Sequence, residues 1–323
     1  QWWSKIVDTR GLLHNESEYY IVRNNEHQYA IFHKNKPNEP ITQWWEMIYA
    51  DGLLTGQSEY YIAKNKDNKY AVFHINNPDK PVSDWWDRIY EEGLIQGKSK
   101  YYVTKEKQKE DLTFIFHVDN PKKPIAQKPY FIGLFSGAIQ GQSEYYVATN
   151  QNTKQAIFHI DNPDKPISQW WQWIDHEGLI EGASQYYKVS NHDQDAIFHK
   201  DKPDKPISQW WSKIYKEGLI QGLSQYYKIE NNQSLQAIVH ESNPDPITDY
   251  YSQIYHAGLI NGTSQCYVAK SSKHSPLQVY HINDPYYPLY EIPDIDFCEN
   301  VIHANPEIAV LIHISTKKEI VIW

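Results

Sequence analysis

Apolar positions along this chain fall in short runs separated by polar turns, and the runs recur with a period near 41 residues. A serine followed by x-Tyr-Tyr stands at Ser17, Ser58, Ser99, Ser143, Ser184, Ser224 and Ser264, at spacings of 41, 41, 44, 41, 40 and 40; Cys266 replaces the first tyrosine in the last copy. A histidine closes a second apolar run in each copy, at His33, His74, His117, His159, His199, His240 and His281. An aromatic pair opens most copies, as at Trp44-Trp45 and Trp85-Trp86, while the fourth has Pro129-Tyr130 in the matching stretch. Self-similarity at this period marks a repeat architecture. The expected organisation is one tandem-repeat domain over 1–323, with units 1–41, 42–82, 83–125, 126–167, 168–207, 208–247 and 248–288. A degenerate capping unit, 289–323, follows, with strands expected from Val310 to Ile314 and from Glu319 to Trp323.

Within a unit the pattern predicts helix, strand, strand and a proline turn. In the third copy Ser83 suits an N-cap, Asp84 and Asp87 suit a first turn, and Trp85/Ile89 and Trp86/Tyr90 are spaced four apart. Gly93 then fits a left-handed helix stop, with Ile89 and Leu94 in the contact that such a stop makes. The Tyr- and Val-rich run Ser99 to Thr104 and the run Tyr70 to His74 each predict a strand, and Asn65 to Asn68 predicts a hairpin loop. The expected fold class is therefore α+β: helix-strand-strand units stacked as a solenoid or closed ring. The alternative is an all-β propeller of seven or eight blades, whose four-stranded units have the same period.

Thirteen of the 14 glycines occupy two slots of the unit, as in Gly93-Leu-Ile-Gln-Gly97 and Gly218-Leu-Ile-Gln-Gly222. The one slot without glycine holds Asn15, a residue that tolerates positive φ. Both slots are expected to need a left-handed backbone or very close backbone packing.

Composition narrows the function classes. The 26 tyrosines and 12 tryptophans supply enough ring surface to argue for a packed fold against disorder. A net charge of -9 without a basic stripe excludes a typical nucleic-acid binder and favours a basic or neutral partner. No stretch is apolar for long enough to span a bilayer. Cys266 and Cys298 form no disulfide framework, and their pairing stays open. The chain opens on Gln1, as expected of a processed product, a fragment or an engineered chain. The expected compartment leans to secreted or cell-surface, although the triplets at Asn15, Asn232 and Asn261 do not settle secretion.

The residues that invite chemistry are repeated, whereas a catalytic centre is assembled once. Seven equivalent histidines lie a whole repeat apart, so they predict hydrogen bonds to the next turn and no metal. The serines predict bonds to local backbone, and Asp161 and Asp164 predict a turn and not calcium. Ser58, Tyr61, His74, Gly93, Gly97, Ser99, Tyr102, His159, Gly218 and Gly222 are accordingly expected to be structural positions. Trp45, Trp86, Trp171, Trp173 and Trp211 are the candidate binding residues, with a core role competing for the same rings. Variable hairpin loops, such as Lys105 to Asp111 and Ser271 to Pro276, are the expected specificity positions, together with the helix faces. The irregular stretch from Gln127 to Phe135, with its extra Gly133, is expected to reflect drift or geometry.

The leading function is a non-enzymatic repeat scaffold that binds a protein or other extended partner, with no cofactor. The first alternative is a lectin-like protein with one shallow aromatic sugar site per unit. The second is a hydrolase with one central cleft, an idea that a strongly perturbed carboxylate pair would revive.

Overall fold

The computed structural model describes residues 3–106, 112–125, 131–132, 137–292, 300–305, 308–313 and 318–322. Gln127–Tyr130, Gly133–Phe135, Cys298, Trp323 and positions 107–111 of the third hairpin loop lie outside the described residues. Backbone contacts divide the chain into one unit of Gln1–Thr153 with Ile157–Pro166 and a second of Lys154–Ala156 with Ile167–Trp323.

Each copy is an antiparallel sheet of three or four strands in chain order. In the second copy these are Met47–Tyr49, Tyr60–Lys64, Tyr70–His74 and Asn77–Pro81, with Ile48 opposite Ala63 and Ile62 opposite Val72. Tyr61, Ile62 and Ala63 are all buried, as are Ala71, Val72 and Phe73. Both faces of the central pair are covered, so these strands read as continuous apolar runs without alternation. In several copies the second tyrosine of the pair stacks on the aromatic ring opposite: Tyr61 on Phe73 at 5.5 Å and Tyr102 on Phe116 at 5.4 Å in the first unit, Tyr187 on Phe198 at 5.6 Å in the second, whereas Tyr227 faces Val239. The hairpin between the central strands turns through a left-handed residue, Asn68 at φ 61°, while the Asn65 side chain accepts the amides of Asp67 and Lys69. The second unit ends in a three-stranded sheet, Asn300–Asn305, Ile308–His313 and Lys318–Ile322, where the sequence led us to expect a degenerate copy.

These sheets overturn the α+β reading and, with it, the helix-based solenoid unit. The helical turns among the described residues are Arg10–His14, Asp51–Leu54 and Gly137–Gln140, five, four and four residues long, and none contains the aromatic pair, as the expected helix would. The backbone N–H and C=O of Trp86 both bond Tyr70 of the preceding copy, each at 2.8 Å, and two residues later Arg88–Ile89 pairs with the third copy's own central strand. The segment passes from one sheet to the next, so its backbone groups are engaged by two strands and cannot close helical bonds. Ser83 is no N-cap: its buried hydroxyl accepts the Val72 amide at 2.9 Å and donates to the Asp84 carbonyl. Thr42, Ser208 and Thr248 hold Ile31, Ile197 and Ile238 in the same way.

The histidines clamp the end of the third strand. His74 Nδ1 accepts the amide of Asn76 at 3.2 Å, which leaves Nε2 as the protonated nitrogen, and this donates to Glu59 at 3.1 Å. The ring also meets Tyr60 edge-on at 4.8 Å. Nδ1 makes the same backbone bond in His33, His117, His159, His199, His240 and His281. His74→Ala is expected to lower stability by about 1 kcal/mol, since one neutral bond and one charge-assisted bond at a partly exposed site are lost. Urea denaturation reads this directly, and an unchanged midpoint with an unchanged slope would remove the clamp.

Within each unit, successive copies meet through the Gly-Leu-Ile-x-Gly turns. In the first unit the Gly52 amide donates to the Ile95 carbonyl at 3.0 Å, and Ser58 Oγ donates to the Leu94 carbonyl at 2.8 Å. In the second, Ser224 Oγ donates to the Ile260 carbonyl at 2.8 Å. A methyl group on Gly97 would lie 2.1 Å from the Gln57 carbonyl oxygen, and Gly97 also sits at φ +73°. Asn15, in the slot that lacks glycine, has φ 57°.

Candidate functional site

The seams between copies bring together the residues just before the first motif glycine. In the first unit, Tyr49 and Asp51 of copy two face Tyr90, Glu91 and Glu92 of copy three across a cleft of about 520 Å³. Tyr70, Asp87, Arg88, Ile89, Gln96 and Lys105 complete the lining. The sheet explains the placement. The first strand of the second copy ends at Tyr49, and the next two residues lead into the glycine turn that packs on its neighbour. Their side chains are left at the seam.

Electrostatics make the cleft acidic. Four carboxylates line it against two cations, and Asp87 is already bonded by Lys69 at 2.8 Å. Asp51 accepts a bond from Arg10 at 2.6 Å. Glu91 and Glu92 have no ion-pair partner among the described residues. Burial pushes the Glu91 carboxyl above the usual range, and repulsion from Asp51 and Glu92 adds to it while Arg10 opposes it. The Arg88 guanidinium lies over the Tyr90 ring at 4.6 Å, and Tyr49 and Tyr70 stand 6.3 Å apart. Gln96 Oε1 is buried without a hydrogen-bond partner among the described residues.

In the second unit the corresponding seam is filled from within. Lys216, which occupies the slot of Glu91, reaches Asp175 at 3.1 Å and Glu177 at 2.9 Å. Gln221, in the slot of Gln96, donates to Glu177 at 3.0 Å. Lys188, its side chain 12% exposed, lies between Asp175 and Asp195, 3.4 Å from each, and Asp195 is also held by Ser190 Oγ and the Ile214 amide. Lys228 is 3% exposed; it lies 3.9 Å from the Tyr215 ring centre and donates to the Ile254 carbonyl at 3.0 Å. Burial pushes its ammonium down to about 8, with Lys213 adding to the fall and Glu217 and Glu230 opposing it. The sequence reading passed over these lysines. The signal was present: the residue after the tyrosine pair is Ile21, Ile62, Val103, Val147 and Val268 elsewhere, and only Lys188 and Lys228 break the series.

The tryptophans singled out in the sequence lie apart from the cleft lining. Trp45 packs on Phe73 at 5.1 Å, Trp86 on Phe116 at 5.3 Å and Trp171 on Phe198 at 5.2 Å. Trp211 packs beside Ile197, Ile214 and Tyr227. All four are half-buried, and their indole N–H groups are buried without a hydrogen-bond partner among the described residues. Trp173 is 53% exposed, on the edge strand opposite Ser190. Among the described residues no group of three or more His, Cys, Asp or Glu side chains has metal-holding geometry, and no helix is long and apolar enough to cross a membrane. Cys266 is half-buried, and burial pushes its thiol up.

Neither a protein-family model nor a curated protein matches the sequence. Among solved structures the chain is similar to Hsv2 of Kluyveromyces lactis, at 10% identity over 83% of this chain and 88% of that one, with a TM-score of 0.32. It is similar to the Cps50 (Swd1) β-propeller domain of Myceliophteria thermophila, at 8% identity over 99% and 95%, with a TM-score of 0.30. It is also similar to the computationally designed Ika8 protein, at 6% identity over 91% and 90%, with a TM-score of 0.32. Overlaps this slight carry no argument about fold or function.

Proposed function

We propose that the chain is a non-enzymatic binding scaffold that docks a protein partner at the cleft between its second and third copies. The observation that carries this reading is the lining: three tyrosines and four carboxylates around about 520 Å³. Tyrosine is enriched at protein interfaces because it offers a large apolar face with a polar tip. The lining holds no serine, cysteine or histidine for nucleophilic work. Peptide display against the intact protein, counter-selected on a Tyr49→Ala/Glu92→Ala double variant, tests the site. Enrichment of peptides that bind the parent and not the variant is the expected result. Enrichment blind to the two substitutions sinks the site.

A second reading has one observation in its favour. Burial pushes the Glu91 carboxyl above its ordinary value beside a second carboxylate, Asp51, which accepts a bond from Arg10 at 2.6 Å, and hydrolytic carboxylate pairs use such a difference in environment. Turnover of a panel of aryl glycosides that disappears in Glu91→Gln would favour hydrolysis over docking.

A further inference from the structure

We infer that the occupant of the copy-two/copy-three cleft is a lysine ammonium presented by the partner protein, an inference that rests on the docking reading above. The molecule carries its own precedent. At the equivalent seam of the second unit the Lys216 ammonium bonds two carboxylates of the neighbouring copy, Asp175 at 3.1 Å and Glu177 at 2.9 Å. The first unit keeps the acid at the slot of Glu177, where it has Asp51, but places Glu91 where Lys216 would be. That exchange leaves Glu91 and Glu92 without an ion-pair partner among the described residues, although Arg10 holds Asp51 and the side chains of Arg88 and Lys105 line the cleft.

Three features point the same way. The carboxyl of Glu91 faces the like charges of Asp51 and Glu92, a repulsion that an entering cation relieves. Gln96 Oε1 is a buried acceptor with no donor among the described residues, and an ammonium brings three donors. Tyr49 and Tyr70, in the slots of Asp175 and Asp195, offer ring faces in place of carboxylates, and a lysine stem and ammonium pack well on such faces. The second unit shows that contact directly, with Lys228 over Tyr215 at 3.9 Å. The excess of acid over base in the whole chain, net -9, steers the same class of partner.

The test uses the intact protein and a fluorescein-labelled Gly-Lys-Gly-Lys-Gly peptide, read by fluorescence anisotropy at low salt. The expected result is saturable binding that weakens about tenfold or more when both peptide lysines are Nε-acetylated. The substitution E91K supplies the missing ammonium from within and is expected to weaken the unmodified peptide as strongly, with an unchanged or raised melting temperature showing that the variant folds. E91Q removes one charge without filling the site and is expected to weaken binding less than E91K. Absence of binding by the parent, equal binding of the acetylated peptide, or full binding by folded E91K each overturns the inference. The docking reading survives any of these outcomes if display still yields peptides that require Tyr49 and Glu92, whatever their charge.

Discussion

Gly52→Ala is expected to destabilise the protein by about 2–3 kcal/mol, although alanine is the better helix former by about 1 kcal/mol. Gly52 lies inside the helical turn Asp51–Leu54, and propensity alone predicts a gain. The seam decides otherwise. A methyl group there would stand 2.1 Å from the Ile95 carbonyl oxygen and 2.7 Å from Ser58 Cβ. The first obstacle is backbone in the next copy, which no side-chain rotation removes, and the same carbonyl accepts the Gly52 amide at 3.0 Å. Relief requires the two copies to part, with loss of that bond and of contacts around Leu94 and Ile95. Scanning calorimetry is expected to show a fall of roughly 5–10 °C for a unit of this size. A rise in melting temperature would show that the turn obeys helix propensity and that the seam is not held by close backbone approach.

That competition also explains what the sequence made legible and what it hid. The two glycine slots were readable because positive φ or a missing Cβ narrows the choice at the position itself to glycine or, once, to Asn15, whatever the element. Positive φ at Gly93 was correctly placed by the helix-stop reading, but a left-handed residue ends a strand as well as a helix, so the inference from stop to helix failed. Ser83 misled for a related reason. A hydroxyl that holds a backbone amide is the same chemistry in an N-cap and in a clamp on Val72, and only the partner, 11 residues earlier, separates them. Ile89 and Leu94, paired from the helix argument, do share one core cluster, so a correct contact came from an incorrect element. The seam cleft stayed hidden because it depends on residues a full repeat apart. Lys188 and Lys228 were hidden by emphasis: attention to what all copies share obscures the two that place an amine where five place Ile or Val.

Those two lysines are expected to respond oppositely to replacement by valine. Lys188→Val strands Asp175 and Asp195, whose side chains are 10% and 13% exposed, and breaking such a buried arrangement costs about 3 kcal/mol. Lys216 still neutralises Asp175, which leaves Asp195 as the main source of the loss. Lys228 touches no carboxylate directly. Tyr215 lies beneath it, Lys213 and His256 add like charge or polarity nearby, and Glu217 and Glu230 act on it only through space. Its ammonium falls to about 8 in the folded state from an ordinary value of 10.5. Between those two values the unfolded chain holds more protons than the folded one, so stability rises with pH across that window. Below about pH 8 the full penalty, roughly 3 kcal/mol, is present. Lys228→Val removes it but forfeits the Tyr215 contact and the bond to the Ile254 carbonyl, for a net gain of about 1–2 kcal/mol at pH 7. The gain is expected to shrink toward pH 10.5, because the parent recovers there while the variant does not change through this group. Urea titrations at pH 7 and pH 10 on both variants measure the contrast. If Lys228→Val loses stability at pH 7, or gains as much at pH 10 as at pH 7, the buried ammonium does not strain the seam it crosses.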